Sequence, residues 1–454
     1  MRRLALALVC LLMLAATACG SRSDEAGDGG NGEQSLDGES GSQEDPEALS
    51  ASSGELGTID NPCSDEAPDG SAPSDVPGVT DDTIRIGVIS DRENPAVPLP
   101  TVGIEESVRA FVDLCNGAGG VGGREIELET YDSMIVRTDE ATKAACRDDL
   151  FALVGSGSVQ DQQGIGTRVE CGLPEVAAYS ATTSRAESDL FYASVPGLSS
   201  TEFNVGPCRW MAEEFPDAVT KAAMVYTDIP AASVRGRQVV DGCEADAGFE
   251  FVVEEAQAFG DTDFASIVAQ MKEEDVKYFT MVSATSETLA LLEEIQTQGI
   301  ELDVIDLGQQ YYDRAVAESP VADGAYVLTN TAPFAEADDN PVLALYLDAM
   351  EAVDAADKVS TLGVQAFSAG LLWATAVDAL GNDLSRDALV DELETVTSWD
   401  GGGLHIEANP AENVPIGCFL YLQVEGGEFA RAHPDDGYDC DPDYLYTSDE
   451  PFES

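Results

Sequence analysis

The stretch from Asp81 to Leu128 limits what this chain can fold into more than any other. Ile84 to Ser90 (IRIGVIS) is rich in β-branched residues and has no helical period, so it reads as a buried strand. Beyond a loop holding Pro95, Pro98 and Pro100, the residues Ile104, Val108, Phe111 and Cys115 recur at helical spacing. Asn116 to Arg124 (NGAGGVGGR) stops that helix, and Glu125 to Tyr131 (EIELETY) alternates as a second strand does. The result is a β-α-β unit, which requires a parallel sheet and a right-handed crossover.

The pattern continues down the chain. A helix from Thr138 leads to a strand over Phe151 to Val154, and Val176 to Tyr179 forms the next strand after Pro174. Thr201 to Phe215 reads as a helix, Ala222 to Tyr226 as a strand, Val234 to Ala247 as a helix and Phe249 to Glu254 as a strand. Phe264, Ile267, Val268 and Met271 share one helical face ahead of a strand over Tyr278 to Val282. A helix over Thr288 to Gln298 stops at Gly299, and Leu302 to Leu307 is one more strand. Alternation of this kind over roughly 220 residues predicts a doubly wound α/β fold, and the length favours two such domains. The last quarter differs. Asn340 to Ala355, Thr361 to Leu380 and Ser385 to Thr397 read as helices, and Leu404 to Glu407 with Cys418 to Val424 as a closing hairpin.

The chain carries 86 acidic and 22 basic residues, a formal charge of −64, which argues against nucleic acid and anionic membrane surfaces as partners. A solvated acidic coat explains the charge without any cationic substrate. At the N-terminus, Arg2 and Arg3 precede an apolar run from Leu4 to Ala16 that is too short to span a membrane. The sequence Ala16-Thr17-Ala18-Cys19-Gly20 resembles a bacterial lipoprotein signal, which implies cleavage before Cys19 and lipidation of its thiol. Residues 19–80 are rich in Gly, Ser, Asp, Glu and Pro and read as a disordered acidic tether.

Setting aside Cys10 and Cys19 leaves eight cysteines, an even number that in an exported chain suggests disulfides. Topology favours Cys146–Cys171 and Cys208–Cys243, each joining neighbouring α/β units. Cys418–Cys440 would hold the tail, and Cys63–Cys115 would pin the end of the tether.

In order and spacing, IRIGVIS (from Ile84), FVDLCNGAGGVGGREIELETYD (from Phe111), FALVGSGS (from Phe151), YSATTS (from Tyr179), AMVYTD (from Ala223) and DFASIVAQMKEEDVKYFTMV (from Asp263) resemble a type I periplasmic binding protein. The helix from Gly363 to Leu380 and the WDGGG turn at Trp399 continue the match, which covers about Thr83 to Phe429. The branch resembled includes the branched-chain amino-acid binding proteins of ABC transporters, the leucine-binding-protein-like family. The resemblance implies two Rossmann-like lobes joined by three crossovers, with ligand held between them by hinge closure. It places residues 81–198 and 326–402 in an N-terminal lobe, 199–325 and 403–430 in a C-terminal lobe, and 431–454 in a tail.

Ligands of open α/β sheets bind beyond the carboxyl ends of strands. Those ends carry hydroxyls and amides here, and the candidates are Ser156, Ser158, Ser180, Thr182, Asp91, Asp228 and Gln309. In proteins of this branch the residues aligning with Ser158, Ser180 and Thr182 hold the ligand's carboxylate and amino groups. Ser and Thr at such positions also cap helices. Amino-acid binders of the branch place a Tyr near Ala231 or Ala232 and aromatics near Ser283 and Ala284, and none stands there. An acid that would meet the ligand's ammonium is replaced by Gln309 and Gln310, with Asp91, Asp161 or Asp228 as substitutes. An amino acid, an amide or a small organic acid all fit. Tyr311 and Tyr312 either face the cleft or fill the core.

Catalysis is not indicated. His405 and His433 are the only histidines, and neither stands at a spacing that would hold a metal. Gly117 to Gly122 fits Gly-x-Gly-x-x-Gly but follows a helix instead of a strand, the wrong context for a dinucleotide. No cofactor or metal is expected. The expectation is a monomeric extracytoplasmic lipoprotein that delivers a small molecule to an ABC permease, touching the membrane through its lipid anchor alone. The alternative is a ligand-binding sensory component without transport.

Overall fold

Thr83–Ser90 forms the strand its β-branched run predicts, and its last five residues are all buried. The computed structural model describes residues 54–68, 70–73, 75–92 and 102–452. The signal-like run, Cys19, the first part of the tether and the proline loop lie outside the described residues. Thr83–Ser90 sits between Glu125–Asp132 and Ala152–Val154, and Glu175–Ala177 and Phe191–Ala193 complete an all-parallel sheet. The register sets Ile84 beside Ile126 and Ile86 beside Leu128. Between the two strands, the helix Val102–Gly117 ends in the glycine-rich turn. Gly120 there has φ +86°, and a Cβ would fall 1.9 Å from the carbonyl oxygen of Arg124, so this turn is open only to glycine. The turn is packing chemistry, not a phosphate cradle.

The second sheet runs Phe251–Gln257, Ala222–Thr227, Tyr278–Val282, Val304–Leu307 and Tyr326–Thr329 in parallel, then Cys418–Glu425 and Glu428–His433 antiparallel. Between Thr329 and Cys418 the chain returns to the first lobe. The helix Thr361–Leu380 buries 16 of its 20 residues, and its Phe367 meets Phe111 edge to face at 6.0 Å. A helix buried nearly all round needs small residues where neighbours approach. Gly370 is one of them, because a Cβ would lie 2.5 Å from the Phe111 ring. Three crossovers therefore join the lobes, after Ala193, after Thr329 and before Cys418.

Several sequence readings shift. Tyr326–Thr329 belongs to the second sheet, so the first lobe resumes only after it. Thr201 to Phe215 is not one helix: Glu202–Asn204 is a strand, and Pro207 in the first helical turn starts the helix Gly206–Glu214. Leu404 to Glu407 makes a single isolated bridge, His405 to Thr331, and the hairpin partner of Cys418–Glu425 is instead Glu428–His433 across Gly426-Gly427. Residues 431–452 are not a loose tail. Leu445–Thr447 pairs with Glu202–Asn204, and Phe452 is buried in the second lobe's core.

The largest revision concerns the tether. From residue 54 the chain is folded onto the first lobe, with Leu56, Cys63 and Val79 buried in that lobe's core. Ser64 N–H donates to Gly120 O at 2.9 Å and Gly123 N–H to Ser64 O at 3.0 Å, and Cys63 is bonded to Cys115. A composition poor in aromatics hid this, because the segment gains its order from one cross-link and a few apolar side chains. The other three disulfides join Cys146 to Cys171 and Cys208 to Cys243, the pairs that topology favoured, and Cys418 to Cys440, the pair expected to hold the tail. Among the described residues no helix is long and apolar enough to cross a membrane.

Candidate ligand-binding site

The carboxyl ends of the two parallel sheets face one cavity of about 300 Å³. The first lobe contributes Val159, Tyr179, Ser180 and Ala181. The second contributes Thr227, Ile229, Arg235, Ser283, Gln309 and Gln310. Each crossover adds to the wall: Val195 and Leu198 from the first, Asn330 from the second, Pro415 and Ile416 from the third. A cavity walled by both lobes and all their connections changes shape whenever the lobes move.

Of the seven candidate site residues, Ser180 and Gln309 line this cavity. The other five do not, and most are already occupied. Asp91 is 1% exposed and accepts from Ile135 N–H at 2.6 Å, Val159 N–H at 2.7 Å and the Ser133 hydroxyl at 2.5 Å. Burial raises its pKa, and those three donors oppose the rise. Ser156 Oγ accepts from Ile89 N–H at 3.0 Å, which ties the strand Thr83–Ser90 to the loop after Ala152–Val154. Ser158 is buried against Thr138, with 3.4 Å between hydroxyl oxygens. Thr182 caps the helix Thr183–Ala186 and donates its proton to Asp161 at 2.6 Å. Asp228 is exposed and stands off the cavity wall.

Asp161, a substitute considered for the missing acid, is also committed. It accepts from Ala181 N–H at 2.7 Å as well as from Thr182, and burial raises its pKa to about 6 against the pull of Arg185. Tyr311 is a core residue. Its hydroxyl lies 2.7 Å from that of Thr288 and accepts from Ser283 N–H at 3.0 Å. Tyr312 stacks on Phe334 at 4.5 Å. His405 is buried away from the cavity: Nδ1–H donates to Ile406 O, the Ser368 hydroxyl donates to Nε2, and Trp399 Nε1–H donates to Ser368 Oγ. That chain suits a neutral imidazole, and burial lowers the His405 pKa to about 4.

The positions where the sequence departs from amino-acid binders all fall on the cavity wall: Ala231, Ala232, Ser283, Ala284, Gln309 and Gln310. Two of the second lobe's wall hydroxyls are turned inward. Ser283 and Thr227 both donate to Glu287, which is 2% exposed and also accepts from Gly260 N–H at 2.6 Å. Gln309 spans the cleft. Its Oε1 accepts from Gln365 Nε2 of the first lobe at 3.1 Å, and the same nitrogen donates to Asn330 Oδ1 at 3.0 Å.

Sequence reasoning passed over Arg235. It sits one turn after Ala231 on the helix Pro230–Ala247, so the two share a face. The strand-end rule admits it, since this helix opens right after Ala222–Thr227. Its guanidinium stacks over Phe203 at 4.8 Å, and its one hydrogen bond among the described residues goes to Gln238 Oε1 at 3.4 Å. Burial lowers its pKa to about 10.

Two parallel-sheet lobes with a cavity at their facing strand ends define a class of hinged ligand binders. Residues 83–428 match the family model described as periplasmic binding protein, and the chain belongs to that family. Its fold is the type I form. Solved structures with this fold include the branched-chain amino acid transporter substrate-binding protein LivJ of Streptococcus pneumoniae in complex with isoleucine (18% identity, TM-score 0.64, 78% of this chain and 100% of that one). A solute-binding protein of an ABC transporter from R. palustris, in complex with 4-hydroxybenzoate, is 16% identical (TM-score 0.66, 79% and 98% covered). A fatty acid ABC transporter substrate-binding protein from Thermomonospora curvata is 17% identical (TM-score 0.67, 83% and 97% covered). No protein with a curated description matches the chain by sequence.

Proposed function

We propose that this chain is the solute-binding lipoprotein of an ABC importer. It captures a small molecule in the interlobe cavity, closes about the three crossovers and delivers its cargo to a membrane permease. The observation that carries this reading is the cavity wall itself, assembled from both lobes and every crossover. A site built that way couples occupancy to lobe closure, and a closed form presents the permease with a surface absent from the open one. The protein works as an extracytoplasmic monomer held by acyl chains on Cys19. More than one chain gives a stable anchor, at about 0.8 kcal/mol per buried methylene.

A thermal-shift screen of the full chain against amino acids, amides and organic acids tests the binding step. A ligand at a hundred times its Kd stabilises by about 2.7 kcal/mol, which raises the melting temperature by a few degrees. Small-angle scattering then records a drop in radius of gyration with that ligand. A hit without compaction contradicts the hinge. Metabolic labelling with a fatty acid, lost in Cys19→Ala, tests the anchor.

A further inference from the structure

We infer that the cavity takes a monocarboxylate with an apolar body and no ammonium group, its carboxylate paired with Arg235. The inference rests on the solute-binding reading and narrows its ligand class. Three observations converge on it. Among the described residues, Arg235 is the one charged residue on the cavity wall. No carboxylate stands within ion-pairing distance of its guanidinium among the described residues, where its contacts are the Phe203 ring and Gln238. Asp306 acts on it electrostatically without forming an ion pair, and its oxygens are bonded by the hydroxyls of Tyr278 and Tyr421. A partly desolvated cation without a bound counter-ion is an unmet demand for an anion, and the guanidinium fork matches a carboxylate.

The second observation is what the wall lacks. Among the described residues, no Asp or Glu lines it. Two acids bonded to wall residues are spent: Glu287 accepts from Ser283, Thr227 and Gly260, and Asp161 from Ala181 and Thr182. An α-amino acid would therefore bury its ammonium with no counter-charge, a cost that outweighs what its carboxylate gains. The third is the remainder of the surface. Val159, Ile229, Val282, Leu328, Leu362 and Ile416 supply apolar wall on several sides. A volume of about 300 Å³ is at the small end of ligand sites, which suits an aryl or medium-chain alkyl acid.

The test uses matched pairs on the full chain: benzoate against benzamide, octanoate against octanamide, with leucine as the zwitterion and a broad thermal-shift set of amino acids, sugars and polyamines alongside. The expected result is that at least one acid binds about 10- to 100-fold more tightly than its neutral amide. Arg235→Gln brings the acid down to the affinity of the amide while leaving the amide unchanged, and Arg235→Lys restores part of the gap. The amide comparison needs no variant, so it stands even if Arg235→Gln folds poorly. Equal binding of acid and amide to the unmodified chain overturns the inference, as does a gap that survives Arg235→Gln. Leucine or a neutral solute binding where both acids fail overturns the ligand class and leaves the solute-binding reading intact. No binding by any solute in the broad set overturns both.

Discussion

The two lobes meet the same cavity with strand ends that differ in how much chemistry they leave open. In the first lobe the polar groups are consumed by the protein: Asp91 gathers three donors, Ser156 holds the Ile89 amide, and Thr182 both caps a helix and serves Asp161. Of this lobe's hydroxyl candidates, only Ser180 reaches the cavity. The second lobe brings a cation stacked on an aromatic ring, two glutamines and a row of aliphatic side chains. The first lobe is therefore the fixed half of the site, and the second carries most of its chemistry. Equal numbers of Ser and Thr in a sequence do not mean equal numbers of hydroxyls on offer, because a buried hydroxyl with a nearby acid or amide is already bonded.

That contrast can be broken in order of size. The largest effect is expected in the first lobe at Glu175, 2% exposed, which pairs with both Arg168 and Arg185. Glu175→Gln leaves two buried guanidiniums without their counter-ion and costs about 4 kcal/mol in urea unfolding. Cys63→Ala with Cys115→Ala comes next. Opening a bond that spans 52 residues costs about 3 kcal/mol in the same measurement and frees the N-terminal segment to proteases. Survival of either variant at full stability breaks the picture of a rigid first lobe.

The third test belongs to the second lobe and depends on pH. Burial raises the Asp306 pKa from 3.8 to about 6, so its folded value lies above its unfolded one. The stability it contributes is fully present below the unfolded value and is lost as pH rises through about 6. Wild type minus Asp306→Asn should therefore fall by at most about 3 kcal/mol between pH 4 and pH 7. A flat difference would mean that Tyr278 and Tyr421 hold the carboxylate charged throughout. The smallest effects separate structural hydroxyls from a ligand hydroxyl. Ser158→Ala with Thr182→Ala lowers stability by about 1 kcal/mol and leaves affinity for the best ligand within about threefold, whereas Ser180→Ala weakens binding by about 1 kcal/mol at unchanged stability. The reverse pattern on calorimetry would return the site to the three-hydroxyl arrangement of amino-acid binders.

The fold was legible because its signals are local and repeated. Runs such as Ile84 to Ser90 and Ala222 to Tyr226 are apolar strands bounded by helix periods, and Gly299 stops a helix in the left-handed conformation expected of it. Disulfide partners followed once neighbouring units were placed. Residues 54–68 and 431–452 were misread because their order comes from partners distant in sequence: Cys115 for Cys63, Glu202–Asn204 for Leu445–Thr447. The site was half legible. The strand-end rule found the right rim, yet choosing among its polar residues requires knowing which hydrogen-bond partners lie across space, and Asp161 beside Thr182 is separated from it by 21 positions.

The clamp on the N-terminal segment has a mechanical consequence. Leu56 packs in the first lobe's core, Thr58 bonds Asp400, and Cys63 is welded to Cys115 at the end of the helix that opens that lobe. Any load arriving along the chain from before residue 54 is thus delivered to the first lobe alone, whereas the second lobe is attached through the crossovers. A pull entering at residue 54 reaches one jaw and leaves the other free to swing, so it turns the whole molecule without prying the jaws apart.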